Sequence, residues 1–116
     1  MIAVLLFAAA VTVVDGDTIR AGGERIRLLG IDAPEIHRCR QGRVCVPGDG
    51  QASKRSLEAM IGADVQIQPV TRDRYGRTVA QVYSRGRNLA CEQIRRGQAV
   101  YVAKWDNGGL LARDCR

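Results

Sequence analysis

Carboxylates and arginines recur in three short clusters of this sequence, and these residue types can hold a cation and a phosphate side by side. The first cluster is Asp15-Gly16-Asp17, the second contains Arg27, Asp32 and Glu35, and the third is Asp73-Arg74-Tyr75-Gly76-Arg77. Carboxylate oxygens are the ligands that Ca²⁺ prefers, and a guanidinium group matches phosphate oxygens in pairs. An exposed turn explains Asp-Gly-Asp equally well when that cluster is taken alone. The first two clusters together favour a site for a hard cation.

The elements around the clusters predict a small domain of the α+β or mainly β class. Residues 11–20 and 25–31 have the pattern of a strand hairpin, and the glycine within the first strand favours a bulge or bend. Residues 51–61 and 88–96 have helical spacing, with Asp49 as a cap for the first helix. Further strands are predicted at 64–70, 78–83 and 99–103. A five-stranded antiparallel barrel of the oligonucleotide-binding (OB) type accommodates this order, although propensity alone leaves other α+β arrangements open.

Length and composition predict one folded domain with a basic surface. The chain has 116 residues, 46% of them hydrophobic and 26% charged, which excludes a disordered or fibrous protein. The net charge is +6, and arginine supplies most of the positive charge. Such a surface suits phosphate, although composition alone leaves an ordinary solvated basic face equally open.

Two features of the sequence, residues 1–10 and the four cysteines, bear on whether the protein is exported to an oxidising compartment. Residues 1–10 are apolar and end in three alanines, like part of a secretory signal, but no basic residue follows Met1, so a lead into the first strand is the alternative. The run is too short to span a bilayer, and no membrane partner is expected. An even set of cysteines in a small domain favours disulfides and a secreted or periplasmic location. A zinc site at His37, Cys39 and Cys45 is the rival interpretation, although its spacing matches no usual ligand pair.

Taken in register, the three clusters resemble those of the staphylococcal nuclease (thermonuclease) family. The likeness runs from about residue 11 to 102, with a predicted helix between the second and third clusters. We therefore expect a nuclease-like domain over residues 11–116, preceded by the signal-like segment 1–10.

The resemblance implies a Ca²⁺ cofactor with ligands in the first two clusters. Asp17, Asp32 and the backbone carbonyl of Ala33 take the ligand positions, and Asp15 steadies the site through water. Family members can have threonine where this chain has Ala33, so a hydroxyl that could hold an ordered water is missing here. The resemblance makes Glu35 the residue that orients or deprotonates the attacking water.

The same resemblance assigns the phosphate contacts. Arg27 and Arg77 match the two arginines that stabilise charge on the phosphate in the transition state, and Arg74 and Tyr75 match positions that bind a terminal phosphate. Pairing with Glu24 or Asp73 on the surface is the alternative role for Arg77. Tyr101 and Trp105 are candidates for packing on a sugar or base, with core packing as the alternative for either.

The largest departure from the family lies at the C-terminal end, where at most one short turn is expected at residues 110–114 in place of a further helix. A Cys91–Cys115 bridge would hold this tail, and Cys39–Cys45 would then clamp the loop beyond Glu35. This is the preferred one of three pairings.

The expected function is that of a monomeric, Ca²⁺-dependent endonuclease. It would hydrolyse DNA and RNA, single strands preferably, with low sequence specificity and 3′-phosphoryl products. A catalytically silent nucleic-acid-binding OB module is the main alternative. A disulfide-linked structural or inhibitory domain is the third, and it leaves the carboxylate and arginine set without a purpose.

Overall fold

Short strands and three helices make up the part of the chain that the computed structural model describes, which is residues 11–116 and the backbone of residues 5–7. The predicted signal-like character of residues 1–10 lies mostly outside the described residues. The strands are β1 (Leu5–Phe7), β2 (Val11–Asp15), β3 (Thr18–Ala21), β4 (Glu24–Leu28), β5 (Ile31–Asp32), β6 (Val65–Arg72), β7 (Thr78–Ser84), β8 (Arg87–Asn88) and β9 (Val100–Tyr101). The helices are α1 (Gly50–Met60), α2 (Leu89–Arg95) and α3 (Leu110–Asp114), with a 3₁₀ turn at Ala103–Trp105.

The main sheet confirms the predicted α+β, OB-like fold class. Its strands are ordered β1-β6-β7-β4-β3-β2, with β8 added beside β7, and β5 pairs separately with β9. Neighbouring strands are antiparallel except β4 and β7, which are parallel, so the sheet is mixed and not wholly antiparallel. Among the described residues the hydrogen-bonded path runs from β1 to β2, and no pairing between these two end strands closes it into a ring. The parallel pair sets Arg27 of β4 opposite Val79 near the start of β7, and so brings the second cluster close to the third, which lies just before β7.

The first cluster is a chain reversal and not a bend within one strand, which corrects the prediction for residues 11–20. β2 pairs antiparallel with β3, Val13 opposite Ile19, and a bulge lies between Val13 and Asp15. Gly16 lies at the reversal, where an added Cβ would come within 1.8 Å of Ser53 Oγ. The backbone N–H of Asp17 donates to Asp15 Oδ1 at 3.1 Å, which closes the turn locally. Since Ser53 lies on α1, helix packing forces the turn to be this tight.

The helices agree with the predicted ones to within a residue or so at each end. Asp49 caps α1 by accepting hydrogen bonds from the backbone N–H groups of Gln51 and Ala52. Asn88 caps α2 in the same way, and both helices pack against the sheet over a core that includes Ile19, Leu57, Ile67 and Leu89. The predicted strand at 99–103 is shorter than expected, because the 3₁₀ turn begins at Ala103.

The C-terminal tail is anchored by a disulfide, a buried leucine and an aspartate. Leu111 of α3 is buried in the core, and Cys115 is bonded to Cys91 of α2. The buried Asp106 accepts from the backbone N–H of Leu111 at 2.6 Å and of Ala112 at 3.0 Å. Cys39 is bonded to Cys45, so both preferred disulfides occur and the thiolate zinc site is excluded. None of the helices in residues 11–116 is long and apolar enough to cross a membrane.

Candidate active site

Two aspartates, Asp17 in the turn before β3 and Asp32 at the end of β5, converge on one arginine. Arg27 of β4 places Nη1 at 3.2 Å from Asp17 Oδ1 and Nη2 at 3.5 Å from Asp32 Oδ1. The same Nη2 donates to the carbonyl of Ile31 at 3.1 Å. All three side chains are largely buried, with Asp17 only 4% and Asp32 only 7% exposed. Register explains the meeting, because Thr18, next to Asp17, is paired with Arg27 across β3 and β4.

Asp17 is held by hydrogen bonds to both carboxylate oxygens. Oδ2 accepts from the backbone N–H of Ala33 at 2.9 Å, and Oδ1 accepts from Thr18 Oγ1 at 2.8 Å. Burial by itself raises the pKa of Asp17, but the Arg27 charge and the hydrogen bonds outweigh it and hold that pKa below its usual range. Asp17 therefore stays ionised inside the domain.

The two neighbouring carboxyl groups, those of Asp32 and Asp15, have raised pKa values. Burial and then the charge of Asp17 raise the pKa of Asp32, against the pull of Arg27 and Arg43. Burial, followed by the hydrogen bond and charge of Asp17, raises the pKa of Asp15 to about 7. Asp17 raises the pKa of both Asp15 and Asp32, so a cation bound beside these partly buried carboxylates would lower the cost of ionising them.

The donor set fits a hard cation in part. Asp17 and Asp32 offer the oxygen ligands that such an ion takes, and a bound cation would oppose the burial and the Asp17 charge that raise the pKa of Asp32. Within residues 11–116, however, no group of three or more histidine, cysteine or acidic side chains is arranged to hold a metal ion. The remaining ligands would have to be water molecules and backbone oxygens, such as the carbonyl oxygen of Ala33.

Glu35 lies at the rim of this centre, held by an arginine that the sequence did not single out. Arg43 Nη1 is 3.0 Å from Glu35 Oε1, and Arg43 Nη2 is 3.3 Å from Asp32 Oδ1. The backbone of Glu35 is seated against the start of α1, where a Cβ on Gly50 would come within 2.2 Å of the Glu35 carbonyl oxygen. Only glycine at this position lets the helix approach so closely.

The third cluster forms a turn between β6 and β7 on the other side of the centre. Asp73 Oδ1 accepts from the backbone N–H groups of Tyr75 and Arg77, and Asp73 Oδ2 is 2.6 Å from Arg77 Nε. The surface pairing considered for Arg77 therefore exists. Tyr75 is 71% exposed, with the guanidinium groups of Arg74 and Arg77 at 5.5 and 5.6 Å from its ring centre.

One open groove of about 1310 Å³ brings all the predicted site residues together. Its lining includes the three residues predicted to supply cation ligands, Asp17, Asp32 and Ala33, and the remaining six, namely Asp15, Arg27, Glu35, Arg74, Tyr75 and Arg77. Trp105 also lines it, 5.1 Å from the Arg27 guanidinium, whereas the Tyr101 hydroxyl donates to Asp106 at 2.6 Å. The groove is rimmed by further cationic side chains, namely Arg25, Arg38, Arg40, Arg43, Arg72 and Lys104.

Gln93 is a second residue that the sequence did not single out, and it supports the turn of the first cluster from inside the domain. Its amide donates to the carbonyl of Gly16 at 2.8 Å and to the carbonyl of Ser53 at 3.0 Å, and so joins the first cluster to both helices. The side chain is completely buried. Helical periodicity indicates only that Gln93 is on α2, and no local pattern marks it as a support for a turn far away in the chain.

The fold and the groove define an OB-like domain with a carboxylate centre in an arginine-rich groove. Comparison with known proteins narrows this class, since the family model described as staphylococcal nuclease homologue matches residues 25–111. The chain belongs to the staphylococcal nuclease family.

Relatives in this family come from bacteria and plants. The chain is 36% identical to the succinoglycan biosynthesis protein ExoI of Rhizobium meliloti (strain 1021) over 87% of this chain and 54% of that protein. It is 36% identical to an uncharacterized endonuclease of Escherichia coli O157:H7, over 87% of this chain and 64% of that protein. A probable staphylococcal-like nuclease CAN1 of Oryza sativa subsp. japonica is 30% identical, over 84% of this chain and 27% of that protein. The chain thus spans less than two thirds of the length of each of these relatives.

Proposed function

We propose that this chain is a Ca²⁺-dependent endonuclease that hydrolyses DNA and RNA to 3′-phosphoryl products. The observation that carries the proposal is the meeting of Asp17, Asp32 and Arg27 at the centre of a groove that also contains Glu35 and Arg77. Relatives named endonuclease or nuclease support the reaction class. Asp17, Asp32 and the Ala33 carbonyl would hold the cation, and Asp15 would steady Asp17 through the turn hydrogen bond.

Each side chain has a separate task in this mechanism. A cation bound here supplies Lewis-acid polarisation of the phosphate and a fixed position for in-line attack. Glu35 accepts a proton from the attacking water, for which its carboxylate must be free of a strong partner. Arg27 and Arg77 donate to the non-bridging and leaving oxygens, whose negative charge grows as the transition state is approached.

The groove favours a flexible strand bound through its backbone. Its cationic lining can track successive phosphates, and the exposed ring of Tyr75 offers a stacking surface for a base. Contacts of these two kinds do not read base edges, so we propose low sequence specificity and a preference for single strands. Arg74 would bind a terminal phosphate beside Tyr75.

Two further properties belong to the same proposal. The two disulfides support a secreted or periplasmic location, since such bonds persist in oxidising compartments. We propose that the chain acts as a monomer, because the groove contains the whole predicted set of residues from one copy.

The first experiment follows cleavage of single-stranded DNA with Ca²⁺ and with a chelator. We expect cleavage only with Ca²⁺, and a loss of about 10²–10⁴-fold in rate for Glu35→Gln, which is the usual contribution of a general base. Glu58→Gln is the matched control, because Glu58 is exposed on α1 outside the groove, and its rate should stay unchanged. Negligible cleavage under both conditions contradicts the enzymatic proposal.

A catalytically silent nucleic-acid-binding module is the second candidate function. It is favoured by one observation, the lack within residues 11–116 of a group of three metal-binding side chains. A calcium titration in the presence and absence of a nucleotide separates the two candidates. The enzyme should bind the nucleotide only when Ca²⁺ is also bound, whereas a silent module should bind the nucleotide equally well without Ca²⁺.

A further inference from the structure

The short loop closed by the Cys39–Cys45 disulfide places Arg43 against the carboxylates of Asp32 and Glu35. Cys39 and Cys45 close a ring of seven residues, and Arg43 lies within it. The Arg43 backbone N–H donates to the Arg40 carbonyl at 3.1 Å, which folds the ring into a turn. From that turn the guanidinium group reaches both Asp32 and Glu35, at 3.3 and 3.0 Å.

Arg43 and Arg27 hold the centre in different ways. Both guanidinium groups contact the same oxygen, Asp32 Oδ1, but the Arg27 side chain is 13% exposed and the Arg43 side chain is 43% exposed. Arg27 also donates to a backbone carbonyl, that of Ile31, whereas the ion pairs of Arg43 in the described chain are with Asp32 and Glu35 alone. The Arg43 side chain is itself 43% exposed, so water can solvate it when a cation takes over the charge of Asp32, and Arg43 can then leave at small cost.

We infer that Arg43 is a displaceable substrate-binding residue, which competes with the cation for Asp32, stays paired with Glu35 until it is displaced and, once released, binds the phosphate of the substrate. This inference rests on the proposed function. A cation at Asp32 adds positive charge beside the Arg43 guanidinium, so the two repel each other. Release of Arg43 also frees Glu35, which must be unpaired to accept a proton.

The surroundings of Arg43 favour phosphate as its second partner. Residues 38–43 contain Arg38, Arg40 and Arg43 and no acidic residue, and these three arginines line the same groove. Once separated from Glu35, Arg43 has cationic neighbours on its own loop, and an anion in the groove relieves their repulsion. A guanidinium fork is also well matched to two phosphate oxygens.

The disulfide limits how far Arg43 can move. A ring of seven residues keeps the side chain within reach of the carboxylates and of the groove. Opening the ring should therefore weaken both the competition with the cation and the contact with phosphate. The Cys39–Cys45 bridge would then act on binding, whereas the Cys91–Cys115 bridge acts on the tail.

Calorimetric titration of the full chain tests the two halves of the inference separately. The probes are Ca²⁺ alone, and thymidine 5′-monophosphate in saturating Ca²⁺, which has no internal phosphodiester to be cleaved. For Arg43→Ala we expect Ca²⁺ to bind more tightly and the nucleotide more weakly, each on the order of tenfold, a usual size for coupling between sites. Arg40→Ala removes the same charge from the same loop, and Arg40 has no ion pair in the described chain, so Ca²⁺ affinity should stay near that of the unaltered chain and nucleotide affinity should fall by less than in Arg43→Ala.

Two more variants guard against a general effect of charge or folding. Arg43→Lys keeps the charge but loses the fork, so Ca²⁺ affinity should stay near that of the unaltered chain while nucleotide affinity falls. The double variant Cys39→Ser/Cys45→Ser should change both affinities in the same directions as Arg43→Ala, but by less. Circular dichroism of each variant checks that the fold is kept.

The outcomes distinguish this inference from the proposed function. Failure of the unaltered chain to bind Ca²⁺ contradicts the proposed function itself. Binding by the unaltered chain with an equal or weaker affinity in Arg43→Ala overturns only the competition with the cation. Tighter Ca²⁺ binding with unchanged nucleotide affinity overturns the phosphate contact, as does an equal effect of Arg40→Ala and Arg43→Ala.

Discussion

Asp17, Arg27 and Asp32 lie on or beside strands and are nearly buried, whereas Glu35 and Arg43, which line the same groove, lie in a loop and are partly exposed. We call the first three residues the strand wall. The loop wall comprises Glu35 and Arg43 together with the turn residues Tyr75 and Arg77. Residues of the strand wall are linked to one another and to the core, while residues of the loop wall are linked to near neighbours in the chain or to the carboxylates.

The difference indicates how stability and function are divided in this site. In the strand wall each charge is satisfied by another buried charge or by a backbone group, so a change there affects folding as well as binding. In the loop wall the ion pairs face water and contribute little to folding. We therefore expect substitutions in the two walls to have different effects on unfolding even where their effects on cleavage are similar.

Arg27→Met and Arg77→Met should show the largest contrast. Each removes a guanidinium donor to the transition state, and we expect a loss of about 10²–10³-fold in cleavage rate for either. Arg27→Met also leaves Asp17 buried without its charge partner, which should lower the free energy of unfolding by about 3 kcal/mol. Arg77→Met breaks a surface pair with Asp73 and should lower it by less than about 1 kcal/mol. Urea unfolding alongside cleavage assays measures both, and equal destabilisation contradicts the distinction.

The two disulfides should sharpen the same comparison. Cys91–Cys115 spans 24 residues and fixes α3 to α2, so Cys91→Ser/Cys115→Ser should lower the free energy of unfolding by roughly 3 kcal/mol. Cys39–Cys45 spans 6 residues of exposed loop, and its loss should lower the free energy of unfolding by roughly 2 kcal/mol or less. Thermal unfolding of each double variant gives the order, and a larger effect from the loop bridge would reverse the assignment of roles.

Sequence could predict the strand wall because strand pairing is a local and regular constraint. Alternation within β3 and β4 sets their register, and this register brings Asp17 beside Arg27. Caps such as Asp49 and the short tail helix were also predicted, since their signals lie within a few residues. The roles assigned to Asp17, Arg27 and Asp32 stay predictions, but their meeting in space follows from the fold.

The loop wall and the supports of the first cluster could not be predicted in the same way. Residues 33–49 have no periodicity, so nothing in that segment indicates that Arg43 turns back to Glu35. The reversal at Gly16 depends on Ser53 of α1, and Gln93 of α2 holds it in place. Contacts between residues so far apart in the chain are fixed by tertiary packing, which no single segment of the sequence specifies.

Gln93→Leu tests whether the strand wall depends on that distant support. The change leaves the carbonyl groups of Gly16 and Ser53 buried without their donor, which should lower the free energy of unfolding by about 1–3 kcal/mol. The turn should also loosen, so the affinity for Ca²⁺ should fall. Gln51→Leu, at an exposed position of α1, is the control and should change neither quantity. A Gln93→Leu protein with unaltered Ca²⁺ binding separates Gln93 from the site.

The smallest effect expected is a pH dependence carried by Asp73, the ion-pair partner of Arg77 of the loop wall. Burial raises the pKa of Asp73, but hydrogen bonds from the backbone and side chain of Arg77, together with the charge of Arg77, outweigh burial and hold that pKa below its ordinary value of 3.8. A depressed pKa means that the ionised form stabilises the folded state, so this contribution is present above pH 3.8 and is lost as pH falls through the lower folded value. Asp73→Asn keeps an oxygen for the turn but loses the charge, and should cost about 0.2–1 kcal/mol at neutral pH. Urea unfolding between pH 7 and 3 should show the two proteins converging at the acidic end, and a constant difference would assign the effect to the turn hydrogen bonds alone.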